Sequence, residues 1–221
     1  MHAVAAKAMA QTIYLDECGY TGDDLFDAEQ PTFAIATHSF TEDESATLKR
    51  RFFGGVQAPE LKHSSLQRTA RNQRAMLDFL QFASEQKGRV RIMVADKRFA
   101  LTAKLVDFVI EPPMHRYGLN LYEQGGNTAI SNLLFGVLQV EGSMVLDQLL
   151  RRFQDVIRTR TDEAMTEFVR FLALRQEPSV VDETLDMVRS SLAQLQQDDI
   201  TTLPARALDI SFTVALSAIY T

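Results

Sequence analysis

Two acids, Asp16 and Glu17, close the apolar stretch from Ile13 to Leu15, and glycines at 19 and 22 bracket the turn that follows. An apolar run that stops on carboxylates places charge at the mouth of a fold. Glu60 and Lys62 stand two apart in "PELKHSS". On extended backbone both would point the same way, one able to hold a metal and the other to neutralise a phosphate. Asp96 ends a further alternating stretch, "RVRIMVAD". If the strands ending on Asp16 and Asp96 lie side by side and run the same way, their carboxylates reach one ion. Hard cations such as magnesium or manganese take oxygen ligands and are held by one or two carboxylates plus substrate phosphate. Two such ions about 4 Å apart clamp the attacking and leaving oxygens of a phosphodiester. Each acid also has a plainer reading: a strand exit at Asp16 and Glu17, a surface pair of Glu60 with Lys62, and a surface pair of Asp96 with Lys97 or Arg98.

The elements that must position these groups are legible as patterns. "TIYL" (residues 12–15) reads as a buried strand, and "PTFAIATHSF" (31–40) as a second, with Phe33, Ile35, Thr37 and Ser39 alternating against Ala34, Ala36 and His38. The glycine-containing, acidic segment between them is a hairpin-type connection. Thr41 followed by Glu44 has the spacing of a capping box and predicts a helix start. A helix is expected to end at Gly88, with Leu66, Ala70, Met76, Leu77, Leu80 and Ala83 on its apolar side, and a third strand alternates Val90, Ile92 and Val94 against Arg89, Arg91 and Met93. From Leu101 on the pattern is helical. Leu146, Leu149, Leu150, Phe153 and Ile157 make one stripe, and Val181, Leu185, Val188, Leu192 and Leu195 a second, both read as core packing. The two prolines of "EPPMHRYG" mark the best internal break. Strands first and helices second predict an α/β domain over residues 12–113 and a helical extension over 114–221, after a frayed leader at 1–11.

Composition bounds the function. Of 221 residues 46% are hydrophobic and 24% charged, which is the globular range. No stretch approaches membrane-span length. One cysteine, Cys18, excludes an internal disulfide framework and cysteine-built zinc sites, and fits a reducing, cytoplasmic compartment. Its expected role is that of a small buried residue rather than a nucleophile. The net charge of −6 conceals an asymmetry: from Lys49 to Arg98 twelve basic residues face four acids, which is +8 and leaves −14 elsewhere. That points to an anionic partner, with a solvated basic face as the plain alternative. There is no Walker motif.

Taken together, "IYLDECGYTG", "PTFAIATHSF", "ELKHSSL" and "VRIMVADK" resemble the bacterial and phage family called domain of unknown function 3800. The resemblance covers residues 12–97 well and the rest by general character. It implies a ribonuclease-H-like mixed sheet in the N-terminal half, a mostly helical C-terminal half, and a magnesium- or manganese-dependent nuclease of a phage or defence setting. Carried over, it makes Asp16, Glu60 and Asp96 catalytic metal ligands, with Glu17 beside Asp16 and Lys62 beside Glu60. Arg50, Arg51, Arg68, Arg71, Lys97 and Arg98 are then the expected contacts to RNA or DNA. Cys18 stands where that family usually has serine. Its members also continue, past the equivalent of "LDISFTVALSAIYT", into another acid-bearing strand, so the extension is expected to be truncated.

Two other readings compete. "DECGYTG" has a distant likeness to the phosphate loop of the sugar kinase and actin superfamily, with one residue inserted and no second loop. A ribonuclease-H-like scaffold without catalysis would bind nucleic acid or protein, and the apolar C-terminal helices would then serve a homodimer or a protein partner.

Overall fold

The computed structural model describes residues 12–56, 60–174, 179–196, 199–200 and 202–220; the leader expected at 1–11 lies outside them. β1 (Tyr14–Cys18) and β2 (Thr32–His38) form an antiparallel hairpin, with Asp16 opposite Ala36 and Cys18 opposite Ala34. Gly19 turns the chain at a φ of 81°, where a side chain would also run into the Thr32 carbonyl. Glycine is therefore required there. β3 (Val90–Asp96) pairs with the other edge of β2. The Ser39 amide donates to the Arg89 carbonyl at 3.0 Å and the Lys97 amide to the Pro31 carbonyl at 3.1 Å, which sets β3 antiparallel to β2.

The sheet is thus a three-stranded antiparallel sheet in the order β1-β2-β3, not the mixed sheet expected. The 13-residue connection from Gly19 to Pro31 returns the chain antiparallel to β1, and β2 takes the centre. Its alternation holds: Phe33, Ile35 and Thr37 are 1%, 1% and 5% exposed. The expectation that β1 is buried does not hold. Every residue from Tyr14 to Cys18 is exposed, because an edge strand has a neighbour on one side only. In the register of β2 with β3, Ile92 stands opposite Ala36, on the face away from Ile35, and is exposed despite its apolar side chain.

The chain falls into two compact units, each discontinuous in sequence: Met1–Cys18, Ala34–Met93 and Thr213–Thr221 form one, and Gly19–Phe33 and Val94–Phe212 the other. In the first, α1 (Glu42–Phe53) begins with the expected capping box, Thr41 and Glu44 bonding each other's backbone amides at 2.8 and 3.3 Å. After the short α2 (His63–Leu66), α3 (Ala70–Glu85) packs on α1 through Phe52, Phe53, Phe79 and Phe82, with ring centroids 5.5 to 5.7 Å apart. The aromatic side is the packed one. Leu77 and Leu80, expected on the apolar face, are exposed. The turn after α3 contains Gly88 at a φ of 79°, near the stop anticipated for it. α10 (Ser211–Tyr220) adds Val214 and Ala218 to this unit's buried set, and Arg91 donates to the Ile219 carbonyl at 3.1 Å.

The second unit is helical. α4 (Lys97–Leu105) runs through a π-helical turn, Val106–Ile110, into α5 (Glu111–Arg116). The prolines do not break this helix. They fall directly after the π-helical turn, in the first turn of α5, and the break comes at Gly118 with a φ of 82°. α6 (Gly126–Glu141), α7 (Ser143–Thr159), α8 (Asp162–Ala173) and α9 (Val180–Leu192) follow. Leu146, Leu149, Leu150, Phe153, Leu185 and Val188 are fully buried, as the stripes predicted, but Leu192 and Leu195 at the end of the second are only half-buried. Among the described residues no helix is long and apolar enough to cross a membrane.

Candidate functional site

Asp16 sits mid-strand in β1, and its Oδ1 accepts the Glu17 amide at 2.9 Å. Strand alternation sends the two side chains to opposite faces of the sheet. Both are exposed, and neither has a cationic partner among the described residues. Cys18 is free and exposed rather than buried. Tyr14, on the Asp16 face, stacks on His38 at 5.1 Å. The His38 Nδ1 accepts the Phe40 amide at 3.2 Å, so the ring is held neutral on that side. Burial, and then the Arg89 charge, lower its pKa below the ordinary 6.5.

The other expected ligands take up different work. Glu60 pairs with Lys62 at 3.2 Å with both side chains more than half exposed, the surface pair that contributes little to stability. Asp96 caps α4, its Oδ1 accepting the Phe99 amide at 3.0 Å. β2 separates the strands bearing Asp16 and Asp96, so the side-by-side condition for a shared ion is not met. Among the described residues no three or more His, Cys, Asp or Glu side chains gather as a metal would need.

The basic residues divide by location. Arg50, Arg51, Arg68 and Arg71 are exposed on and beside α1 and α3. Arg50 donates to Thr47 at 3.0 Å, and Arg51 lies over the rings of Phe52 and Phe82 at 4.8 and 5.4 Å. None of the four has a carboxylate partner among the described residues. Lys97 and Arg98 differ. Lys97 is 1% exposed and donates inward to Thr21 Oγ1 at 2.7 Å. Burial lowers its pKa while Asp27 and Asp24 raise it. It cannot reach a phosphate from there. Arg98 is held by Asp147 at 2.6 Å.

Two groupings in the second unit escaped sequence reasoning. In the first, the acidic turn after Gly19 docks on α7. Gln154 accepts the Leu25 amide at 2.7 Å and donates to Asp24 Oδ1 at 3.0 Å, Arg158 approaches Asp24 at 3.6 Å, and Tyr20 donates to Asp209 at 2.9 Å. Beside it lies a cavity of about 230 Å³ lined by Thr21, Asp23, Asp24, Arg158 and Leu208. Among the described residues Asp23 Oδ1 is buried there without a hydrogen-bond partner, so the cavity suits a small polar group that offers a donor. In the second, the π-helical turn presents Asp107 to Tyr122, whose hydroxyl donates to it at 3.2 Å. Burial raises the Asp107 pKa, and burial with the nearby carboxylate pushes Tyr122 up to about 12. Neither grouping has a local motif, because each joins residues far apart in the chain.

No protein-family model, no curated protein and no solved structure matches this chain.

Proposed function

We propose that the chain binds the phosphate backbone of RNA or DNA through Arg50, Arg51, Arg68 and Arg71. The observation that carries this reading is their shared state: exposed, on or beside one helical pair, and not neutralised by a carboxylate among the described residues. Guanidinium groups in that state bind phosphate bidentately and release counterions. The decisive experiment is fluorescence anisotropy with labelled single-stranded RNA and duplex DNA of mixed sequence, across a salt series. The wild type should bind. Replacing all four arginines by alanine should weaken binding at least tenfold and flatten the salt slope by about 0.7–0.9 per lost phosphate contact. Equal affinity in the variant, or no binding by the wild type, would overturn the reading.

A second reading adds hydrolysis. The likeness to the family domain of unknown function 3800 favours it, as does the open Asp16 carboxylate on an exposed strand. It would make the protein a ribonuclease-H-like nuclease using magnesium or manganese. The donors as they stand do not fit that pair of ions, since Asp96 caps a helix and Glu60 is held by Lys62. Manganese-dependent cleavage of the same oligonucleotides, lost in Asp16→Ala while binding persists, would establish it. Binding without cleavage under either metal would leave a binding scaffold.

A further inference from the structure

Just past the end of β2, Ser39 is fixed from both sides by one residue. Its amide donates to the Arg89 carbonyl at 3.0 Å, and its carbonyl accepts from the Arg89 guanidinium at 3.3 Å. What remains is the hydroxyl. Among the described residues Ser39 Oγ is buried and has no hydrogen-bond partner, a state that costs stability unless water or a ligand satisfies the atom. Ser39 borders a cavity of about 110 Å³ within the first unit, with His38, Gly88, Arg89 and Arg91 also on its wall. The charge there is of one sign. Two arginines line the cavity, and among the described residues no carboxylate does. Glu44 neutralises Arg89 from elsewhere, through bonds of 2.6 and 3.1 Å. Arg91 donates to the Ile219 carbonyl at 3.1 Å, and no carboxylate pairs with it among the described residues. One positive charge is therefore unmatched. His38 adds a donor: its Nδ1 accepts the Phe40 amide at 3.2 Å, so the neutral ring carries its hydrogen on Nε2.

We infer that this cavity binds a phosphoryl group, with Arg91 supplying charge and Ser39 and His38 supplying hydrogen bonds. The fit is one of chemistry and of size. A hydroxyl, an imidazole N–H and a guanidinium around one small space offer donors from several directions. That suits the three or four oxygens of a phosphate better than the two coplanar oxygens of a carboxylate. The volume is well below the about 300–1,000 Å³ that encloses a drug-sized ligand. The phosphoryl group enters, and whatever it is attached to stays outside. Inorganic phosphate and the terminal phosphate of a larger molecule share that chemistry. The inference does not rest on nucleic-acid binding by Arg50, Arg51, Arg68 and Arg71, none of which lines this cavity.

NMR titration of the full, isotope-labelled chain tests this, with sodium phosphate added at constant ionic strength and acetate as the comparison. Phosphate should give saturable shifts at the Ser39, Gly88 and Arg91 amides and at the His38 ring. Ser39→Ala removes a hydroxyl without a partner among the described residues, so the variant should melt no lower than the wild type. Phosphate should nonetheless bind it about tenfold more weakly, the worth of one hydrogen bond to a charged group. Arg91→Gln should weaken binding at least as much. The variant with Arg50, Arg51, Arg68 and Arg71 all replaced by alanine should bind phosphate as the wild type does, which separates this site from the nucleic-acid surface. Anisotropy with one oligonucleotide, ending in a phosphate or in a hydroxyl, then identifies the source. A site for terminal phosphates favours the phosphorylated form and loses that preference in Ser39→Ala; a site for free phosphate treats both forms alike. No saturable shift with phosphate, shifts that acetate reproduces, or an affinity unchanged in both Ser39→Ala and Arg91→Gln would overturn the inference.

Discussion

Helices α3 and α7 are nearly the same length, 16 and 17 residues, and both read as amphipathic, yet α3 buries no residue while α7 buries eight. The difference lies in their neighbours. α7 is covered by α6 and α8, and its stripe from Leu146 to Ile157 closes a core whose members reach zero exposure. α3 has α1 and the short α2 beside it, so its phenylalanines pack on one side and Leu77 and Leu80 stay in water. Amphipathic spacing says which side of a helix can be buried; the number of neighbours decides how much of it is.

That contrast breaks or sharpens under three measurements. The largest effect belongs to α7. Phe153 is fully buried with Phe168 at 6.3 Å, so Phe153→Ala should cost about 3–5 kcal/mol in urea unfolding. A loss below about 1 kcal/mol would mean that α7 is no more a core helix than α3. In α3, Phe79 is half-buried between Phe52 and Phe53. Phe79→Ala should cost about 1–2 kcal/mol, the value for a side chain that leaves water in part. If it matched Phe153→Ala, the helical pair would be as closely packed as the other unit and the contrast would fail. The smallest effect is a pH dependence confined to the sheet-bearing unit. The His38 pKa is lowered in the folded state, chiefly by burial, so the unfolded chain binds the proton more readily. Stability is then full above the ordinary pKa of 6.5 and is lost as pH falls below it. Urea midpoints compared at about pH 7.5 and 5.5 should fall for the wild type more than for His38→Gln. Equal falls would mean that His38 is not the group responsible.

The candidate site was legible in its parts and not in its assembly. Asp96 was recognisable as an acid at a strand end and the pairing of Glu60 with Lys62 followed from their spacing, whereas Asp16, read as a strand end, lies mid-strand. What spacing could not say was that β2 would take the centre of the sheet and leave β1 on an edge, apart from β3. Lys97 and Arg50 were both expected as exposed phosphate contacts. One is 1% exposed beneath Thr21 and the other stands in solvent, and no local signal distinguishes them.

By itself the sequence determined what depends on neighbours in the chain. The capping box of Thr41 and Glu44, the β2 alternation, the glycine turns and the α7 stripe all follow from backbone geometry and the periods of helix and strand. Tertiary structure alone decided strand order, the burial of Lys97 and the docking of the acidic turn on Gln154. Those depend on which distant segments meet. The free energy of burial belongs to the pair of surfaces brought together, and a period in one of them carries no record of the other.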